Sequence, residues 1–477
     1  MHPTGVPPDA RYRPEPRHRT LGEPFFDEVK AAQFPKQILR FRNQRWAERV
    51  GLGALDALGG DEWESHFARF VPLPANLEHP LALRYHGHQF DVYNPQLGDG
   101  RGFLFAQLRD GHDRLLDLGT KGTGRTPWSR GGDGRLTLKG GVREILATEM
   151  LEALGVYTSK TFSLFETGES LMRGDEPSPT RSSVLVRLQH SHVRIGTFQR
   201  LAYHDDKAAM GRLVEFCNEA YGTGATPLAL FEHVTRESIR LCASWMMAGF
   251  VHGVLNSDNM NVTGESFDYG PWRFLPTYDP GFTAAYFDQS GLYAFGKQPR
   301  AVLTNLLRLA RALGILGDEK PLVDVLRDFE PRFEREVVRQ LLARMGLSSR
   351  GESEDEVLLH AVFLFLDETE IGYEAFFFDA FGNQRDRMLA GKRGALFRGD
   401  HGELLLRTLA KFEPSRRRDD PYFDRDDPCT MLIDGVEKLW SFIANGDNWD
   451  PLGAKVDEIR SMGRALKLGT SIANANL

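Results

Sequence analysis

The chain has 477 residues, 41% of them hydrophobic and 26% charged, which is room for two or three cores at ordinary globular composition. A formal net charge of -7 at pH 7 argues against a surface built for nucleic acid or for an anionic membrane, so any cationic site is local. Three cysteines, Cys217, Cys242 and Cys429, include no C-x-x-C pair; they exclude a thiolate zinc cage, make a disulfide framework unexpected and fit a reducing compartment, the cytoplasm before the mitochondrial matrix.

Residues 1–20 carry several prolines and arginines, and the start Met1-His-Pro-Thr-Gly-Val-Pro-Pro8 lacks the charged-then-apolar order of a secretory signal. We expect a lead-in without fixed structure over 1–20, a first lobe over 21–200 and a second over 201–477. No apolar run reaches bilayer length. Residues 81–191 alternate short apolar runs with Gly and Pro, the pattern of a twisted antiparallel sheet with one or two inserted helices. Within them, 101–108 and 115–118 flank a turn at 109–113 as a hairpin, 142–154 has helical apolar spacing ended by Gly155, and 183–188 is a β-branched strand. Beyond Tyr203 the segments 207–221, 228–249, 301–313, 331–345, 356–367 and 435–444 are amphipathic at helical period. The fold class is therefore α+β, with a sheet-rich first lobe and a helical second lobe in a bilobal, protein-kinase-like layout.

Chemistry concentrates in Phe250-Val-His-Gly-Val-Leu-Asn-Ser-Asp-Asn-Met260 and, nine residues after Asn259, Asp268-Tyr-Gly270. This has the form of a phosphotransferase catalytic loop and metal-binding Asp, in which the base stands five residues before the metal-binding Asn. Here that position is Val254, which accepts no proton. Asn259 and Asp268 remain as hard oxygen ligands suited to Mg²⁺, and Asp258 is the remaining carboxylate placed to take a proton from a hydroxyl, with bracing of the loop as its alternative role.

Upstream, Gln96-Leu-Gly-Asp-Gly-Arg-Gly102 sets glycines at alternate positions, where backbone N–H groups can approach phosphates or a plain tight turn can form. Lys121 at the end of the next strand and Glu144 in the following helix stand in the order in which a kinase first lobe holds its triphosphate, the Glu fixing the Lys by an ion pair. A second glycine loop, Ser129-Arg-Gly-Gly-Asp-Gly-Arg135, puts Asp133 and Gly134 where they can close over a nucleotide. Arg187 and Arg194 offer planar forks suited to phosphate, and Arg187 has an ion pair with a neighbouring carboxylate as its alternative. His190, His192 and His252 match no metal-binding spacing and read as hydrogen-bonded structural residues. Cations around the terminal phosphates, with Val at the base position, favour attack at the α-phosphorus and departure of pyrophosphate.

These motifs, with Tyr85-His-Gly-His-Gln-Phe90, Asp268-Tyr-Gly-Pro271 and Phe295-Gly-Lys-Gln-Pro299, resemble those of the selenoprotein O family, pseudokinases that act as protein adenylyltransferases; the likeness covers about residues 80–300. The resemblance implies a kinase-like fold with ATP bound in reverse, so that AMP passes to Ser, Thr or Tyr hydroxyls of other proteins. It implies ATP contacts at Gly98, Gly100, Arg101, Lys121, Asp133, Gly134, Arg187, Arg194 and Asp268, a Lys121–Glu144 pair, Asp258 as proton acceptor, and Mg²⁺ on Asn259 and Asp268, with Mn²⁺ and UMP transfer in related bacterial members. The chain departs from the family pattern in the approach Asp117-Leu-Gly-Thr-Lys121, in Thr123 where Ala is common, and in residues 469–477, which lack the Cys or selenocysteine many members carry near their end. Redox control through that residue is therefore not carried over. Two other readings stay open: a protein phosphotransferase using Asp258 as base, and a non-catalytic nucleotide-binding scaffold. The sequence sets no oligomeric state.

Overall fold

The computed structural model describes residues 9–56, 60–174 and 176–468. Its first part contains the strands β1 (Phe26–Glu28), β2 (Ile38–Arg42), β3 (Leu81–Leu83), β4 (Gly87–Gln89), β5 (Val92–Asn94), β6 (Leu104–Arg109), β7 (Leu115–Lys121), β8 (Leu136–Thr137), β9 (Lys160–Leu171) and β10 (Thr180–Gln189), with helices α1 (Gln44–Arg49), α2 (Glu62–Phe67) and α3 (Leu138–Ala153) among them. Antiparallel pairing runs in the order β1-β3-β6-β7-β10-β9-β2, with β8 added to β10. Strands β6, β7 and β10 are buried along most of their length, because one face of the sheet packs on Trp46, Trp63 and Phe67 of α1 and α2 and the other on α3.

Helix α3 starts at Thr137, whose hydroxyl accepts from the Gly140 N–H at 3.1 Å. Glycine in a first helical turn costs helix stability, and Gly141 has a packing reason: a Cβ there would meet Leu164 of β9 at 2.4 Å. The helix thus lies close on the sheet and carries Glu144 to the end of β7.

Residues 9–20 correct the expectation of an unstructured lead-in. Pro14 bridges Leu108, Arg109 Nη2 holds Glu15 at 2.9 Å, and His18 is buried with its backbone N–H on Gln107 Oε1 at 2.6 Å, so this stretch covers the edge of β6. Residues 1–8 and 469–477 lie outside the described residues.

The second part is helical: α4 (Ile195–Tyr203), α5 (Lys207–Tyr221), α6 (Pro227–Met247), α7 (Gln298–Leu313), α8 (Lys320–Val325), α9 (Phe329–Met345), α10 (Glu352–Thr369), α11 (Tyr373–Ala380), α12 (Arg385–Ala390), α13 (Asp400–Leu409), α14 (Ile433–Gly446) and α15 (Asp450–Leu466). The architecture is α+β, as the sequence pattern predicts. Two short strands, β11 (Phe250–Val251) and β12 (Arg273–Phe274), pair antiparallel and pin both ends of 252–272, the segment holding Asp258 and Asp268. One apolar core runs through α3, α5, α6, α7 and α15, so the parts share buried surface, and Arg460 of α15 forks onto buried Glu149 of α3 at 2.7 and 2.8 Å. Among the described residues no helix is long and apolar enough to cross a membrane, and the three cysteines are free and buried.

Candidate active site

Strand register fixes the first half of the site. Leu185 of β10 stands opposite Lys121 of β7 and Arg187 opposite Gly119, so Lys121 and Arg187 project from the same face of adjacent strands. Lys121 Nζ lies 2.5 Å from Glu144 Oε1 and 2.9 Å from Asp268 Oδ1, and Arg187 Nη1 lies 3.3 Å from the same Asp268 oxygen. Both cations are buried. Burial alone raises the Asp268 carboxyl, but Lys121, Arg187 and Arg194 overcome it and hold the group well below the usual carboxylate range. Asp268 is also one of few non-glycine residues with positive φ, at 62°, a sparsely populated conformation kept where its surroundings require it.

The second half is the single turn Ser257–Asn259. Asn259 Nδ2 donates to the Val254 carbonyl at 3.0 Å, so the residue at the usual base position contributes only its backbone, to orient the Asn amide. Asp258 is 8% exposed, its Oδ1 is buried without a hydrogen-bond partner, and burial pushes its carboxyl up to about 6 against the opposing pull of Arg194. Two glycines give it room: a Cβ on Gly87 would meet Asp258 Oδ1 at 2.8 Å, and one on Gly196 would meet the His86 carbonyl at 2.1 Å and Asp258 Cβ at 3.6 Å.

Arg194 joins the loops. Its guanidinium lies between the rings of Tyr85 and Phe267, 4.4 and 4.9 Å from their centroids, donates to the Asp258 carbonyl at 2.9 Å and lies 3.3 Å from Asp99 Oδ1. Asp99 sits between Gly98 and Gly100 and accepts the Leu83 N–H at 3.2 Å. The two glycines have a local cause, since a Cβ would meet the Trp128 ring at 2.4 Å from Gly98 and the Trp128 carbonyl at 2.8 Å from Gly100. Arg101 is exposed beside them, and its charge is felt by Asp268.

Of the residues singled out in the sequence, the fold gathers Lys121, Glu144, Arg187, Arg194, Asp258, Asn259 and Asp268, with Gly98, Gly100 and Arg101 at the edge. Asp133 and Gly134 stand apart. Asp133 pairs with Arg173 at 2.8 Å beside a recess that also holds Arg125, Arg135 and Glu169, and Gly134 accepts the Gly124 N–H at 3.0 Å. Among the described residues neither bonds to the Lys121–Asp268 group. Arg187 takes up the ion-pair alternative, with Asp268 as its carboxylate. The histidines are structural: His192 Nδ1 lies 2.9 Å from Asp117, His190 Nδ1 2.6 Å from the Tyr157 hydroxyl and His252 Nε2 3.1 Å from the Phe267 carbonyl.

Sequence reasoning passed over Asp99, Trp128, Asn256 and Gln199. Asn256 Oδ1 accepts from the Phe90 N–H at 3.2 Å and the Tyr293 hydroxyl at 2.8 Å, and Gln199 Oε1 accepts from Ser257 Oγ at 2.5 Å. Asp99 between two glycines and Asn256 two residues before Asp258 were the available signals.

The divalent-metal chemistry fits these residues in one respect that is visible here. Asn259 commits its amide nitrogen to Val254, which leaves its amide oxygen to accept or ligate, and Asp268 is ionised with one oxygen taken by Lys121 and Arg187; no hydrogen bond among the described residues reaches the other. No group of three or more His, Cys, Asp or Glu stands together as a metal cage among the described residues.

The family described as "Protein adenylyltransferase SelO" matches residues 9–459, well beyond the 80–300 over which the motifs alone carry the likeness. Similar curated proteins include the "Protein nucleotidyltransferase YdiU" of Synechocystis sp., 41% identical with 94% of this chain and 98% of that protein covered, and that of Gloeobacter violaceus, 42% identical with 94% of each covered. The protein of the same name from Vibrio cholerae is 40% identical over 60% of this chain and 58% of its own length. With a buried Lys–Glu pair, an Asp in left-handed conformation facing it, Val at the base position and a match over nearly its whole length, the chain belongs to the SelO protein adenylyltransferase family, a family of nucleotidyltransferases.

Proposed function

We propose that this protein transfers AMP from ATP to Ser, Thr or Tyr hydroxyls of other proteins. The observation that carries the reading is the pairing of Val254, which gives only its carbonyl to Asn259, with Asp258 beside it, a buried carboxylate with a free oxygen. In this reading the acceptor hydroxyl loses its proton to Asp258 as its oxygen bonds to the α-phosphorus; the bond from that phosphorus to the bridging oxygen of the β-phosphate breaks, and pyrophosphate leaves with that electron pair. Lys121 and Arg187, with Arg101 at the rim, stabilise the departing charge, which requires ATP to lie with its terminal phosphates inward. Arg194 holds the glycine loop to the catalytic loop. Asp133 and Gly134 stand apart from the Lys121–Asp268 group, on the second glycine loop, and would meet the nucleotide away from those residues. Asn259 and Asp268 would hold Mg²⁺, or Mn²⁺, which supplies Lewis-acid neutralisation of phosphate oxygens. Three buried free thiols fit work in the cytoplasm.

The test is ATP labelled at either the α- or the γ-phosphate, incubated with metal, the purified protein and a heat-inactivated cell extract as acceptor. Label on protein from the α position is the expected result. Label from γ assigns the phosphotransferase reading, and label from neither assigns a nucleotide-binding scaffold.

A further inference from the structure

A cavity of about 520 Å³ opens between the β4–β5 hairpin, the C-terminal half of α4 and the second half of α7. It shares no residue with the Lys121–Asp268 group. Tyr93 and Tyr203 wall it, their rings stacked with centroids 5.7 Å apart, and Tyr203 is 59% exposed. Leu307 and Ala312 of α7 add apolar surface. Two arginines and one carboxylate supply its fixed charge: Arg308 is held by Asp91 Oδ1 at 2.5 Å and Asn305 Oδ1 at 2.9 Å, whereas Arg311 is exposed and makes no hydrogen bond or ion pair among the described residues. The excess of one cation suits a carboxylate and is too small for a triphosphate.

The cavity wall is wired to the catalytic turn. Gln199 Nε2 donates to His88 Nδ1 at 2.7 Å while Gln199 Oε1 accepts from Ser257, the residue before Asp258; the backbone N–H of His88 donates to Ser257 Oγ at 2.7 Å. From α7, Asn305 Nδ2 donates to the Leu255 carbonyl at 2.8 Å. At the hairpin tip Phe90 packs on Phe287, 5.7 Å between centroids, and Phe287 and Tyr286 are 47% and 80% exposed, so an apolar rim continues the surface past the hairpin.

We propose that this cavity docks the protein acceptor, taking an acidic side chain at Arg311 and a neighbouring apolar side chain between Tyr203 and Leu307, and so brings a hydroxyl of the same segment to Asp258. This rests on the transfer reading above. The occupant follows from the single unpaired cation, the aromatic walls and the continuity with the catalytic turn.

The test uses two short fluorescent peptides, each with one Thr and one Phe, one carrying Glu and the other Lys at the same flanking position. Fluorescence anisotropy with the full chain is expected to give tighter binding of the Glu peptide, and Arg311→Glu, an exposed site, to reverse the order, each by about tenfold. Equal affinities, no binding, or an order indifferent to Arg311→Glu would overturn the docking site. Transfer of α-label to the same peptides is read in parallel. Ordered binding without α-label leaves the docking site standing and removes AMP transfer; α-label passing equally to both peptides in both proteins does the opposite.

Discussion

Asp258 is held by burial in a state that costs stability and supplies a base. Its carboxyl rises from an ordinary 3.8 to about 6, so the folded protein binds that proton more tightly than the unfolded chain. The sign follows: this group favours folding as pH falls through 6 toward 4, and above pH 6 its ionised form costs the fold about 3 kcal/mol. Asp258→Asn is therefore expected to raise the melting temperature at pH 8 while lowering transfer by roughly 10²-fold or more; a variant that loses stability, or keeps its rate, contradicts the assignment. The wild-type rate should fall as pH drops below about 6, and an acid limb absent from the pH profile would remove Asp258 as proton acceptor. Asp268→Ala should abolish metal-dependent transfer, measured as activity against metal concentration, and Arg187→Ala or Arg194→Ala should weaken it.

Between strand and helix, the Lys121–Glu144 pair was legible from residue order alone, because β7 and α3 are locally encoded. What that order does not reveal is the cost of breaking it. Glu144 is 1% exposed, so Lys121→Met leaves a buried charge without its main partner and is expected to cost roughly 3–5 kcal/mol in denaturant unfolding. Adding Glu144→Leu should recover most of that loss; an additive double mutant would mean that the pair is not coupled. The β4–β5 hairpin makes a second case. Gly87→Ala pushes against Asp258 Oδ1, and the expected outcome is a transfer rate at least about tenfold lower with most of the thermal stability retained. Such contacts were illegible because they join distant segments: Arg194 meets Asp99 across 95 positions, and His88 meets Ser257 across 169. Local signals did better. The stretch 207–221 reads as a helix from its apolar period and forms α5 over the same residues, with Asp206 as cap and Gly222 in the left-handed conformation at its end. Strand β9 escaped notice because its sequence, KTFSLFETGESL, carries few β-branched residues and owes its pairing to β10 and β2.

Across the whole molecule, the two-part pattern of sheet then helices was readable, but the strapping of the last helix onto the first part was not. Helix α15 carries Pro451 in its first turn, Gly453 and many charges, which dilute its apolar period, yet it buries Val456, Ile459 and Met462 in the core shared with α3. That shared core predicts one cooperative thermal transition by calorimetry, and two separated transitions would contradict it. The same closure leaves the cationic wall of Lys121 and Arg187 deep between the parts, with Asp258 at the turn below the hairpin, and from this comes the claim that ATP lies reversed. The direct measurement is a crystal structure with a non-cleavable ATP analogue and Mg²⁺. The terminal phosphates are expected against Lys121 and Arg187 and the α-phosphorus near Asp258; adenine buried between the parts, with the γ-phosphate toward solvent, would contradict reversed binding.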